Sequence, residues 1–221
     1  MSKIFDEIIK ERLLKYGTCS VSDAMDRMGI ACGLLNIKQV VRCRSICGPA
    51  FTVHYVPCGV EHGTVGDFLD DVKSGEVVVI DNAGRNYCTV WGGLMSQSSS
   101  LRGIEGTVID GVCRDVGVIH EYSYPIFTKG CYMVTGKDRV EVDATNVKVS
   151  VSGVQVKPGD IVLGDDSGVI VIPAERLEQL LQIAEEIFEK EEAISNKIAQ
   201  GVSLRDARSS VSYHSLQTRS D

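Results

Sequence analysis

An α/β architecture with a βαβ core and a C-terminal helix follows from three stretches of this 221-residue chain. First, Glu76 to Ile80 and Thr107 to Ile109 are short runs of mainly β-branched residues, the mark of buried strands. Second, Leu94 to Arg102 between them reads as a helix that Gly103 stops. Strand, Gly-rich turn, helix and strand in that order make a βαβ unit with a right-handed crossover. Third, an apolar stripe at helical spacing runs from about Ala174 to Gln200.

The remaining elements follow in chain order. Ile4, Ile8, Leu13 and Leu14 give a first helix an apolar stripe that ends near Gly17. Ser20-Val21-Ser22-Asp23 has the form of a capping box and predicts a short helix stopping at Gly29. Ala50 to Val56 reads as a strand. Asp81-Asn82-Ala83-Gly84-Arg85 reads as the turn that leaves the first strand of the βαβ unit. Val147 to Ser152 alternates apolar and polar residues, as a half-buried strand does, and Gln155 to Asp160 forms a strand end and turn. Ile161 to Leu163 and Val169 to Ile172 continue the β-structure across a turn at Gly164-Asp165-Asp166-Ser167-Gly168. On the last helix, Leu177, Leu180, Leu181, Ala184, Ile187, Phe188, Ile194 and Ile198 share one face. No Ser- or Pro-rich linker divides residues 1–221, so one α/β domain is expected, with a polar tail from about 206 to 221 that is mobile or used in subunit contact.

Composition narrows the function. A net charge of −7 argues against non-specific nucleic-acid binding, which depends on clustered Lys and Arg. No run reaches the roughly 18 apolar residues of a membrane span, and the amino end lacks a secretory signal, so a cytoplasmic protein is expected. The eight cysteines show no zinc-type Cys-x-x-Cys spacing and are read as free thiols. Arg114 beside Cys113 raises the question of a reactive thiol, but strand alternation turns Cys113 away from Arg114 and predicts a packed one.

The chemistry centres on Arg114-Asp115, where a guanidinium and a carboxylate emerge at the carboxyl edge of a strand, the usual ligand edge of open α/β folds. Gly92 and Gly93 fall at the start of the preceding helix, where free N–H groups and the positive dipole end receive anions. Together they predict an anion pocket with a metal beside it.

Glu76-Val77-Val78-Val79-Ile80-Asp81-Asn82, Trp91-Gly92-Gly93-Leu94-Met95 and Val108-Ile109-Asp110-Gly111-Val112-Cys113-Arg114-Asp115 resemble the family of regulators of ribonuclease activity A and class II pyruvate aldolases, including 4-hydroxy-4-methyl-2-oxoglutarate aldolase. The resemblance extends over about residues 18 to 205. It implies a swivelling β/β/α sandwich assembled as a homotrimer or hexamer, with sites between subunits. It also implies a divalent-metal-dependent lyase acting on a small α-keto acid, an oxaloacetate decarboxylase or pyruvate-type aldolase working through a metal-stabilised enolate. The implied roles are Gly92, Gly93 and Leu94 as amides on a pyruvyl carboxylate, Arg114 as its guanidinium partner, and Asp115 as the anchor of Mg²⁺ or Mn²⁺. Arg suits a carboxylate through its planar fork, and Mg²⁺ is commonly held by one or two carboxylates plus waters and substrate oxygens. Glu191, on the apolar stripe in Lys190-Glu191-Glu192-Ala193-Ile194, matches a family Glu that reaches a neighbouring active site; by pattern alone it equally well borders the stripe.

One position departs from the family. The aldolases carry an acidic residue twenty-one positions before the Arg, where it prepares the base; here that position is Gly93. Loss of a positioned base costs retro-aldol cleavage ~10²–10⁴-fold, whereas oxaloacetate decarboxylation needs no such deprotonation. Glu191, Asp81 or a metal-bound hydroxide are the candidate substitutes. The alternatives to a lyase are a non-catalytic regulator resembling the ribonuclease E inhibitor, or a related enolate reaction on a sugar-acid or hydroxy-acid. His54, His62 and His120 read mainly as surface residues, with His120 closest in sequence to Asp115. Lys137 and Arg139 are either a second carboxylate site or a solvated turn.

Overall fold

A computed structural model describes residues 5–60 and 63–211. Helix α1 (Glu7–Arg27) opens with the Asp6 carboxylate accepting the Ile9 N–H at 2.9 Å. It is broken at Gly17, whose φ of 73° is non-helical, a conformation glycine adopts without Cβ strain. The second half does not begin at the predicted capping box. Its cap is Asp165, which accepts the Thr18 N–H and hydroxyl, both at 2.8 Å. Ser20 therefore lies inside the helix.

Strands β1 (Lys38–Gln39), β2 (Ile46–Pro57), β3 (Val77–Thr89), β4 (Gly106–Cys113) and β5 (Ile126–Cys131) build one side of an eight-stranded mixed sheet. Its order is β1-β5-β4-β3-β2-β9-β10, with β6 (Val140–Thr145) also on β2, β9 spanning Ile161–Asp165 and β10 spanning Gly168–Ile172. Strands β2 to β5 run parallel to their neighbours within that set, and β1, β6, β9 and β10 pair antiparallel. Helix α2 (Gly93–Leu101) joins β3 to the parallel β4, completing the expected βαβ unit, and α3 (Val116–Glu121) joins β4 to β5. The turn expected at Asp81–Arg85 is instead an irregularity inside β3. Ala83 and Gly84 take φ of 48° and 68°, the register to β4 shifts on either side of Arg85, and the strand continues to Thr89.

Three layers result. The β7 (Val149–Val151) and β8 (Val154–Val156) hairpin covers one sheet face, with Val149, Val151 and Val156 on Val77, Val79 and Val108. Helices α2 and α3 cover the other, around Val78, Ile80, Ile109, Trp91 and Ile119. This is the expected β/β/α sandwich. The Trp91 ring stacks on Tyr124 at 6.0 Å, and its indole N–H donates to Ser96 Oγ at 3.0 Å, so the buried ring keeps its polar end satisfied.

Helix α4 (Leu177–Ala199) follows a short 3₁₀ turn at Ala174–Arg176. It packs Leu177, Leu180, Leu181, Ala184 and Ile187 on α1 and on β9 and β10. Ile198, expected on the same stripe, is 43% exposed, because the helix has by then run past the α1 surface it covers. The segment read as a tail begins within α5 (Leu204–Ser209), whose Ala207 is buried and whose Ser203 cap accepts the Asp206 N–H. Residues 212–221 lie outside the described residues. Among the described residues no helix is long and apolar enough to cross a membrane.

Candidate functional site

Because β3 and β4 are parallel, the turns that follow them open at the same sheet edge. Val90-Trp91-Gly92 leads into α2, and Arg114-Asp115 leads into α3. The Arg114 N–H donates to the Trp91 carbonyl at 3.0 Å and ties the two turns together. Asp115 sits at φ 60°, ψ 42°, in the left-handed region, which Asp tolerates better than most residues. That conformation carries its carboxylate away from its own helix and onto the start of α2. There Oδ2 accepts the Gly93 N–H at 2.9 Å, and Arg114 Nε stands 3.7 Å from the same oxygen. Both side chains remain partly open to solvent, at 40% for Arg114 and 44% for Asp115.

The glycines have different reasons. A Cβ at Gly92 would lie 2.7 Å from Asp115 Oδ2 and 3.3 Å from Arg114 Nε, so any side chain there would displace the carboxylate. A Cβ at Gly93 would meet Val118 Cβ, Cγ1 and Cγ2 at 3.1, 3.1 and 3.2 Å, a crowding between α2 and α3 rather than at the ligand side.

These residues line a cavity of about 500 Å³ together with Leu94, Thr64, Asp67, Thr89, Thr135 and Lys137. The loop carrying Thr135 and Lys137 is held there by the Thr89 N–H and hydroxyl, which donate to the Val134 carbonyl at 3.0 and 3.1 Å. The cavity thus presents two carboxylates, Asp115 beside the start of α2 and Asp67 on the facing loop, with one guanidinium, one ammonium and the first amides of a helix. Such a floor suits an anion with a second charged or polar group.

Five of the six residues expected at the site, Gly92, Gly93, Leu94, Arg114 and Asp115, border this one cavity. Glu191 does not: it lies on α4, where its carboxylate accepts the Ser20 hydroxyl at 3.0 Å. Within one chain it pairs with α1. Asp81 is also elsewhere, buried, accepting the Ala83 N–H at 2.9 Å and the Ser150 N–H at 3.1 Å; it fastens β7 to the sheet. His54 pairs with Asp143 at 3.0 Å, His120 is exposed at the end of α3 and outside the cavity wall, and His62 lies outside the described residues. Of the basic pair, Lys137 lines the cavity, whereas Arg139 turns back to the Thr135 and Lys137 carbonyls. Asp165 caps α1, and Asp166 faces Arg42 at 3.7 Å in an exposed pair. Cys113 is fully buried, and burial pushes its thiol well above the ordinary range, so it packs in the core and is no nucleophile toward a substrate in the cavity. Thr64, Asp67, Thr89 and Thr135 were not legible as site residues, since they come from separate loops with no shared spacing.

The donor set can be tested against a divalent ion. Among the described residues no three His, Cys, Asp or Glu side chains gather to form a cage. The half-open Asp115 carboxylate in a roomy cavity, with Asp67 as the one other carboxylate on its wall, fits a hard cation that keeps most of its waters, as Mg²⁺ or Mn²⁺ does, and does not fit a closed zinc site.

The chain is similar to known proteins over most of its length. A sequence model described as RraA-like, Aldolase/RraA, matches residues 18–171. Protein DlpA of Legionella pneumophila is 39% identical over 206 residues, covering 92% of this chain and 34% of that protein; the chain therefore spans about a third of that relative's length. A Halalkalibacterium halodurans protein named "Putative 4-hydroxy-4-methyl-2-oxoglutarate aldolase" is 32% identical over 189 residues, covering 84% of this chain and 86% of that one. Among solved structures, an uncharacterized protein from Pseudomonas syringae superposes with a TM-score of 0.86 at 35% identity, covering 92% of this chain and 98% of the other.

Proposed function

The chain belongs to the RraA-like family, and from that premise we propose that it is a carbon–carbon lyase acting on a small α-keto acid, with oxaloacetate decarboxylation as its favoured reaction. The observation that carries this reading is the convergence of the Gly93 N–H, the Arg114 guanidinium and the Asp115 carboxylate within one cavity. A surface that only binds another protein does not require such a cluster.

The chain's own groups divide the work. The α2 amides and Arg114 would take the carboxylate next to the keto group, fixing the carbon that bears the breaking bond. Asp115 would release the Gly93 N–H and turn toward a Mg²⁺ or Mn²⁺ ion. When bound, that ion would supply Lewis-acid stabilisation of negative charge on the keto oxygen. In decarboxylation the departing group leaves as CO₂, and its bonding electrons pass into the enolate of the keto acid. No side chain has to remove a hydroxyl proton. Retro-aldol cleavage does require that removal, and Gly93 offers no group for it, which is why decarboxylation is favoured. Assembly as a trimer or pair of trimers, with Glu191 directed at a neighbouring subunit, belongs to the same proposal.

The decisive assay is turnover of a panel of α-keto acids by the purified protein, with and without Mg²⁺ or Mn²⁺. Metal-dependent loss of oxaloacetate is expected. Gly93 also favours a second reading, a regulator without catalysis. No turnover across the panel, with inhibition of ribonuclease E in a cleavage assay, would replace the lyase by that regulator.

Two substitutions probe the anion site. Arg114→Lys should lower kcat/KM for oxaloacetate by about 10²-fold, because an ammonium cannot form the two parallel bonds of the guanidinium fork. Parental steady-state constants would move carboxylate recognition elsewhere. Lys137→Ala should raise KM for α-keto dicarboxylates roughly 2- to 5-fold, as expected for a solvent-exposed charge pair, and leave kcat nearly unchanged. Such a split marks binding that is equal in ground and transition states. An unaltered KM would leave Lys137 as a solvated loop residue.

A further inference from the structure

Cys113 ends β4 and Cys131 ends β5, and the two are direct Cα partners across the parallel ladder. The ladder continues beyond them through the Tyr132 N–H, which donates to the Cys113 carbonyl at 2.9 Å. Paired positions on parallel strands send their side chains to the same face, and neighbouring strands lie about 4.8 Å apart. That spacing falls within the roughly 4.4–6.8 Å of Cα separation that a disulfide spans. One thiol is fully buried and the other exposed, so solvent reaches the pair from one side only.

The pair also sits directly beneath the candidate site. Arg114 follows Cys113, and the Cys113 side chain packs in the same cluster as Trp91 and Ile119. The carbonyl of Trp91 receives the Arg114 N–H. Turning the Cys113 sulfur toward Cys131 would withdraw it from that cluster and disturb the link that positions Arg114.

We propose that Cys113 and Cys131 form a redox-sensitive dithiol that closes to a disulfide by exchange with a small-molecule disulfide, and that closure impairs the adjoining site. The exposed Cys131 thiolate attacks one sulfur of the small disulfide, forming a mixed disulfide and expelling one thiolate. The Cys113 sulfur then attacks the Cys131 sulfur, its proton passes to solvent, and the second small thiolate leaves. The protein dithiol is oxidised by two electrons, and the small disulfide is reduced to two thiols. This differs from the six other cysteines, which have no such registered partner in the sheet.

The test is incubation of the whole folded protein with oxidised glutathione, followed by tryptic digestion without reduction and mass spectrometry. Expected is a cross-linked pair of peptides 103–114 and 130–137, two hydrogens lighter than their sum, lost on treatment with dithiothreitol. It should be absent from Cys131→Ser, in which Cys113 stays unmodified because it is buried. The exposed Cys19 serves as the internal control for simple glutathione capture. Accumulation of a glutathione adduct on Cys131 without the cross-linked pair would overturn the dithiol. Oxaloacetate decarboxylation should fall several-fold in the oxidised parent and not in identically treated Cys131→Ser. A cross-linked protein with an unchanged rate would overturn the effect on the site. The peptide readout needs no activity, so a failure of the lyase reading and a failure of the dithiol are told apart.

Discussion

Asp115→Asn is expected to lose metal-dependent turnover by about 10²–10³-fold, the scale seen when one preorganised electrostatic group is removed from an active site, while the protein stays folded. The amide oxygen of Asn can still accept the Gly93 N–H that Asp115 now holds at 2.9 Å. Asn also tolerates the left-handed conformation at φ 60°. What it loses is the negative charge a divalent cation needs. Asp115→Ala is the harsher variant. It removes the acceptor at the start of α2, worth about 1 kcal/mol for a helix cap, and places a Cβ-bearing residue without a local hydrogen bond in a strained backbone region. The Ala variant should therefore melt below the Asn variant, and both should be inactive. Rate measurements over a Mg²⁺ titration decide the matter: an Asn variant that matches the parent at limiting Mg²⁺ would remove Asp115 from the metal role.

Gly93→Asp should separate the two lyase reactions, though only with help from α3. Taken alone, the new Cβ would press on three carbons of Val118 at 3.1–3.2 Å, and overpacking of that kind costs about 1–3 kcal/mol. The added carboxylate would also enter the neighbourhood of Asp115 Oδ2, where two like charges push one pKa upward. The single variant is expected to melt lower than the parent. Combining it with Val118→Ala removes both crowding methyl groups and should recover much of that loss. In the folded double variant, the rate of 4-hydroxy-4-methyl-2-oxoglutarate cleavage relative to oxaloacetate decarboxylation should rise at least about 10-fold, a fraction of the roughly 10²–10⁴-fold that a fully positioned base supplies. The control is Val118→Ala alone. A double variant that folds and binds Mn²⁺ yet keeps the control's ratio would show that Gly93 is not a vacated base position but a packing requirement of the α2–α3 contact.

That second possibility was invisible in the linear pattern. The sequence offered two adjacent glycines before a helix, and the helix-start argument treats them alike. In space they differ: Gly92 makes room for Asp115 and Arg114, whereas Gly93 makes room for Val118. Likewise, Asp81-Asn82-Ala83-Gly84 has the composition of a turn. It lies within β3 because β2 and β4 hold the strand up to Asp81 and β4 takes up the pairing again at Arg85 and Thr89, beyond a local irregularity. Strand β5 and helix α3 were missed, since Ile126–Cys131 and Val116–Glu121 are short and carry too few periods of any repeat to stand out.

Local chemistry was enough to specify the βαβ unit, the α4 stripe as far as Ile194, and the placing of Arg114-Asp115 at a strand end. Each depends on residues close together in the chain, where hydrophobic period and helix or strand termini act directly. Through-space relations decided the rest. Asp165 replaced the Ser20 capping box because the β9–β10 turn delivers a carboxylate to Thr18 across 147 positions. Glu191 faced Ser20 rather than the cavity because α4 packs on α1. Lys137 entered the cavity and Arg139 left it because the Thr89 bonds to Val134 fix the loop between them. An acceptor or cation meets its partner wherever packing of the β/β/α layers brings the two together, and no spacing in the chain encodes that distance.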